Sequence, residues 1–259
     1  ERRGVRQSLN TLWGPDAESV DARCEAALVL GTLNHPEFDD LLVHLLNDGS
    51  PTVVRSALEA VELTRRRVFV PLVVSYLADE RLNLYACRAL KAYGGRVLGT
   101  LRDYLDDPDE PDALRWALPG CFAATGTQRA ARILVESLSE HQGAFGDTIV
   151  EALCEMRNRH PEIEFDDALI EAALIRGADG SAGTQGGAEA DDRLRTTIGL
   201  LALIYPSDDI YRAYAGLRSD EREPRANAVE LLDNLLRPEI KKAVLPGIEA
   251  WSASTAANQ

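Results

Sequence analysis

Arg55, Tyr85 and Arg115 stand at intervals of 30 residues, each just inside the start of an apolar ridge, and Arg195 and Arg225 repeat the interval. A fixed period between about 20 and 50 residues, filled by two helical stripes, confines a chain to stacked helix pairs. Val54, Ala57, Leu58 and Val61 fall at i, i+3, i+4 and i+7, and beyond Arg65-Arg66-Arg67 a second stripe runs through Val70, Val73, Val74 and Leu77. The next block repeats the pattern: Leu82, Ala86, Ala89, Leu90 and Tyr93, a Gly94-Gly95 turn, then Val97, Leu101, Tyr104 and Leu105. Aromatics are 6% of the chain and no segment alternates over strand length, so the predicted fold class is all-α. Seven units are expected, near 18–50, 51–80, 81–110, 111–142, 143–177, 191–222 and 223–250. They predict one right-handed α-solenoid domain of about seven antiparallel helix pairs over residues 1–259.

A lone helix pair is apolar on both sides, so each must lie against its neighbours. Leu114, Ala117, Leu118 and Cys121 continue the stripe in the fourth unit, where Pro119 removes an N–H and predicts a kink near Arg115. Residues 178–190 are glycine-rich and lack apolar periodicity, which predicts a disordered surface loop between units five and six.

Composition narrows the setting. At 259 residues and 45% hydrophobic, the chain has material for a core. It begins at Glu1 and its one methionine is Met156, so a segment of a longer protein is expected. No run nears the roughly 18 apolar residues that cross a bilayer, and no basic leader precedes an apolar stretch. Membrane insertion and export by these residues are therefore not expected. Cys24, Cys87, Cys121 and Cys154 form no C-x-x-C pair and sit among alanines and leucines, which predicts buried reduced thiols and a cytoplasmic location. With 42 acidic against 28 basic residues the net charge is -14, a field that repels nucleic acid and anionic membranes unless the basic residues are segregated. Lys91, Lys241 and Lys242 are the only lysines, a bias that a saline habitat or a GC-rich genome would each produce.

The period, with an arginine near the start of the first helix, resembles HEAT and armadillo-like repeats. One stretch is more specific: Arg225-Ala-Asn-Ala-Val-Glu-Leu-Leu-Asp-Asn-Leu-Leu-Arg-Pro-Glu-Ile-Lys-Lys, followed by Val244-Leu245-Pro246. It resembles the last repeats of bacterial HEAT regions behind nucleotide-transporter-like membrane domains, and Leu194 to Tyr205 looks like the repeat before it. The resemblance covers 191–250. It implies the cytosolic region of an ATP/ADP-carrier-like or major-facilitator-like membrane protein, in which such a HEAT region is sometimes joined to a cyclic-nucleotide-binding domain. No membrane segment or cyclic-nucleotide signature stands in these residues, so transport is not assigned to them.

Arg55, Arg115, Arg195 and Arg225 repeat at one place in their units, and Asn227 and Asp233 stand in the same motif as Arg225. They are read as a structural ladder bonding neighbouring turns, with ligand contact as the alternative. Arg65, Arg66, Arg67, Arg96, Arg129, Arg157 and Arg159 fall at or near turns within units. Acidic clusters at 106–112, 162–167 and 220–223 read as solvated loops and helix starts, two of them between units. The two kinds of turn lie on opposite edges of a solenoid, which predicts a basic edge for partner binding and an acidic one. His35, His44, His141 and His160 lack metal spacing, and no calcium loop, P-loop, G-x-S-x-G or dinucleotide pattern is present, so no cofactor, metal or catalytic residue is assigned. Trp13, Trp116 and Trp251 read as packing or end-cap residues. The expected function is a non-catalytic protein-interaction scaffold, binding a protein partner or the rest of its own chain and not nucleic acid. A HEAT-like DNA glycosylase is the alternative, but it needs a basic concave channel. A bilin lyase-like protein shares the fold without a feature to favour it.

Overall fold

A computed structural model describes residues 17–141, 143–179 and 188–257. Among the described residues there are fourteen α-helices and no strand, so the fold is all-α. No helix there is long and apolar enough to cross a membrane. The chain divides into two compact units, Glu1–Thr125 and Gly126–Gln259.

The first unit holds α1 (Ala17–Leu33), α2 (Asp39–Leu46), α3 (Pro51–Thr64), α4 (Val70–Ser75), α5 (Asn83–Ala92), α6 (Leu98–Asp106) and α7 (Asp112–Thr125). Local chemistry sets the boundaries. Pro51 opens α3, where its missing N–H costs nothing, and Arg65 closes it in the left-handed region at φ 52, donating its N–H to Val61 O at 2.9 Å. Asn34 closes α1 in the same way at φ 45, bonding Leu30 O at 3.1 Å. The stripe from Val70 to Leu77 is realised as a six-residue helix that tightens into a 3-10 turn over Tyr76–Ala78.

Packing follows the apolar stripes. α3 lies between α1 and α5, and α5 between α3 and α7, while α2, α4 and α6 pack on α3, α5 and α7. Leu58, Phe69, Leu90, Leu101 and Phe122 are fully buried in this layer. Burial of each such side chain is worth about 1.5–3 kcal/mol. α1 and α3 approach so closely that a Cβ at Gly31 would sit 2.7 Å from Ala60 Cα. Pro119 is buried within α7.

One expectation is corrected here. Cys87 on α5 and Cys121 on α7 are joined as a disulfide, Cα to Cα 5.3 Å, whereas all four cysteines had been expected as reduced thiols. Stacking α7 on α5 brings together two positions 34 residues apart, which C-x-x-C spacing cannot reveal. Cys24 and Cys154 remain free.

The second unit holds α8 (Gln128–Ser137), α9 (Ala144–Arg159), α10 (Asp167–Asp179), α11 (Ala188–Ile204), α12 (Ser207–Leu217), α13 (Arg222–Leu235) and α14 (Pro238–Ala257). Here α9 packs on α8 and α11, α11 on α10 and α12, and α13 on α12 and α14. The last helix, α14, lies against α10 and α11. Trp251 donates its indole N–H to Asp191 Oδ1 at 2.7 Å, and Arg237 pairs with Glu171 and with Asp167, the latter at 3.2 Å. Residues 178–179 and 188–190 are helical, so the loop expected over 178–190 is shorter; its remainder lies outside the described residues.

Candidate functional site

In the first unit the turns that join the helices of a pair are stitched to one another. Arg66 pairs with Asp39, and its Nη2 donates to Asn34 Oδ1 at 3.0 Å, tying the α3–α4 turn to the α1–α2 turn. Tyr93 donates its hydroxyl to Arg66 O at 2.7 Å, and Arg67 Nη2 donates to Arg96 O at 3.3 Å, tying it onward to the α5–α6 turn. Burial pushes the Asp39 carboxyl above its ordinary range, the Arg66 charge pulls it back, and Asp40 raises it further. Burial likewise pushes the Tyr93 phenol up, in keeping with a neutral hydroxyl that donates to Arg66 O.

Arg65, Arg67 and Arg96 remain exposed and donate to main-chain carbonyls: Arg65 Nε to Glu62 O at 3.3 Å, Arg67 as above, and Arg96 Nε to Tyr93 O at 3.4 Å. No carboxylate pairs with them among the described residues. Beside them stand three exposed apolar side chains, Leu33 (51%), Leu63 (52%) and Val68 (59%). Guanidinium groups interleaved with exposed apolar side chains form a surface that binds by charge and burial together.

The loops between pairs are stitched too. Tyr76 donates its hydroxyl to Leu46 O, Asn83 Nδ2 donates to Leu77 O at 2.6 Å, and Arg115 Nε donates to Leu105 O at 3.2 Å. Asp48, Asp79, Glu80, Asp107, Asp109 and Glu110 fall on those loops. Their carboxylates serve the turns: Asp79 takes hydrogen bonds from Arg81, which hold it below the usual range, and Asp107 Oδ1 accepts from Asp109 N–H at 2.9 Å.

The three arginines from the second unit are engaged. Arg157 donates to Leu203 O at 2.6 Å with its guanidinium 4.6 Å over the Phe165 ring, and Arg159 pairs with Glu155 at 2.7 Å. Arg129 lies exposed in the first turn of α8, next to Gln128, which clasps the Glu164 main chain. At the ladder positions, Arg55 lies 5.6 Å over the ring of Tyr85, thirty residues on, and Arg195 pairs with Asp192 at 3.3 Å. Asp233 pairs with Lys241 at 2.5 Å, Asn227 is exposed, and Arg225 is buried. Trp116 is 45% exposed on α7, and Trp251 is a tether between helices; Trp13 lies outside the described residues.

The second unit also has a cavity of about 320 Å³ lined by Asp147, Glu151, Cys154, Thr196, Tyr211 and Tyr214. Burial pushes the Cys154 thiol up to about 11, and its Sγ lies 3.6 Å from Gly199 O, so at neutral pH it is a protonated packing group rather than a nucleophile. No group of three metal-ligating side chains occurs among the described residues.

No protein-family model matches the chain, and no curated protein does. Sequence reasoning picked out the arginines of the rim but passed over Leu33, Leu63 and Val68. Two of these flank the arginine run, and an apolar residue abutting a polar turn was the available signal.

Proposed function

We propose that this chain is a non-catalytic interaction module, a solenoid of HEAT-type helix pairs whose rim of Arg65, Arg67 and Arg96 receives an acidic segment of a protein partner or of the rest of its own polypeptide. One observation carries the reading: three exposed guanidinium groups without carboxylate partners among the described residues stand beside Leu33, Leu63 and Val68 on turns bonded to one another. The short-range bonding of the first unit, pair to following pair, supports the stacked-repeat reading. The likeness of residues 191–250 to HEAT regions behind nucleotide-transporter-like membrane domains supports a cytosolic setting beside such a domain. The paired cysteines remove part of the thiol argument for the cytoplasm and leave that likeness as its main support.

The experiment compares the wild-type protein with Arg65→Glu/Arg67→Glu in binding to the partner recovered from native cells, at two salt concentrations. Charge reversal on an electrostatic rim lowers affinity by about tenfold or more, and the wild-type complex weakens as salt rises. Equal affinity of the two proteins sinks the proposal.

A further inference from the structure

Arg225 on α13 is 8% exposed and its Nη1 has no hydrogen-bond partner among the described residues. A buried guanidinium nitrogen without an acceptor is destabilising, so a fold that retains one leaves room for an acceptor. Beside it runs a groove of about 590 Å³ between α13 and α14. Its floor is made of small or short side chains, Ala226, Val229, Ser252 and Ala253, and its rims carry Arg222 with Arg225 at one end and Glu230 with Glu249 elsewhere. Asp233 in the same groove is already paired with Lys241, while Glu230 and Glu249 have no ion pair among the described residues.

The equivalent position in the first unit shows what such an arginine does when it has a neighbour. Arg55 lies over Tyr85 of the next first helix, 5.6 Å from its ring centroid.

We propose that this groove docks one α-helix of a partner protein, bearing a carboxylate for Arg225 and a basic side chain for Glu230 or Glu249. A floor of short side chains lets a helix backbone approach closely. Five residues separate Arg225 from Glu230, about 7.5 Å along the α13 axis at 1.5 Å per residue, so the docked helix carries its acid and its base one to two turns apart. The balance of charge in the groove selects such a mixed helix over a purely acidic or purely basic one. The inference rests on the interaction-module reading and adds to it a second surface, with its own partner chemistry.

The test places a photo-crosslinking amino acid at Ala226 or at Ala253 in the whole protein, with Val68 as the position on the rim of the first unit. Arg225→Met is then combined with each. Replacing an unpaired buried charge by an apolar chain raises the unfolding midpoint of the free protein, whereas an arginine with a structural role would lower it. The expected result is a raised midpoint with at least a tenfold loss of crosslinks at Ala226, and recovery of Arg225→Glu binding when the partner's carboxylate is changed to arginine. A lowered midpoint, crosslinks only to a second copy of this chain, or a partner not rescued by charge reversal overturns the proposal. Crosslinks at Val68 with none at Ala226 and Ala253 sink the docking groove and leave the interaction module standing. Silence at all three positions sinks both.

Discussion

The two units hold themselves together over different reaches of chain. In the first, several side-chain hydrogen bonds join residues 25 to 32 apart: Arg23 to Asp48, Tyr76 to Leu46, Tyr93 to Arg66, Arg66 to Asn34. In the second they reach further, from Thr196 to Asp147 over 49 residues, from Trp251 to Asp191 over 60, and from Arg237 to Asp167 over 70. Nearest-neighbour bonding makes stability a sum over adjacent pairs, and damage to one pair stays local. Long-range closure ties the last helix to those before it, so the second unit must open as a whole.

The sharpest break of this contrast is a matched pair of core truncations. Leu58→Ala in the first unit and Leu201→Ala in the second each delete a fully buried side chain and should cost about 2–5 kcal/mol. Hydrogen exchange then separates them: Leu58→Ala raises exchange mainly in α1, α3 and α5, whereas Leu201→Ala raises it across α9 to α14 together. Uniform exchange in both variants would erase the distinction. Next in size is reduction of Cys87–Cys121, which releases a 34-residue loop and should cost about 3–4 kcal/mol, read as earlier denaturant unfolding of the first unit alone. An intact-protein mass that does not rise by about 2 Da on reduction would show the thiols already free.

Trp251→Phe keeps the ring and deletes the N–H bonded to Asp191, for a loss of about 1 kcal/mol. If that bond helps to close the second unit, exchange in α11 and α14 rises together. The smallest effect is chemical. With its thiol pushed up to about 11 by burial, Cys154 holds its proton through neutral pH, and its thiolate fraction at pH 8 is about a hundredfold below that of an ordinary cysteine. Alkylation of Cys154 should therefore stay slow until the pH passes about 10 and then climb; a rate already level by pH 9 would show that the site is open to water.

Much of the helical content was legible because a stripe at i, i+3, i+4 and i+7 depends on one segment at a time. The stretches around Val54–Val61 and Leu82–Tyr93 are helices where the spacing put them, and Gly94 takes its turn at φ 58. What stayed hidden depended on two distant segments at once. Nothing in the spacing near Arg237 points to Asp167, and nothing near Cys87 points to Cys121. The candidate surfaces divide in the same way. Arginines at turns could be read one by one, but that Arg66 is spent on Asp39 while Arg65 and Arg67 are not follows from how the turns meet. Burial of Arg225 could not be read from its place in a ladder, because burial depends on how neighbouring helices pack.

Many of the tethers in the first unit end on main-chain carbonyls: Arg66 O, Arg96 O, Leu46 O, Leu77 O, Leu105 O. Every residue type carries that oxygen, so the accepting half of each bond is written in no particular letter. One turn can change its spelling without informing its neighbour, and only the donor must be kept. Turns joined this way can drift in text while their bonding persists.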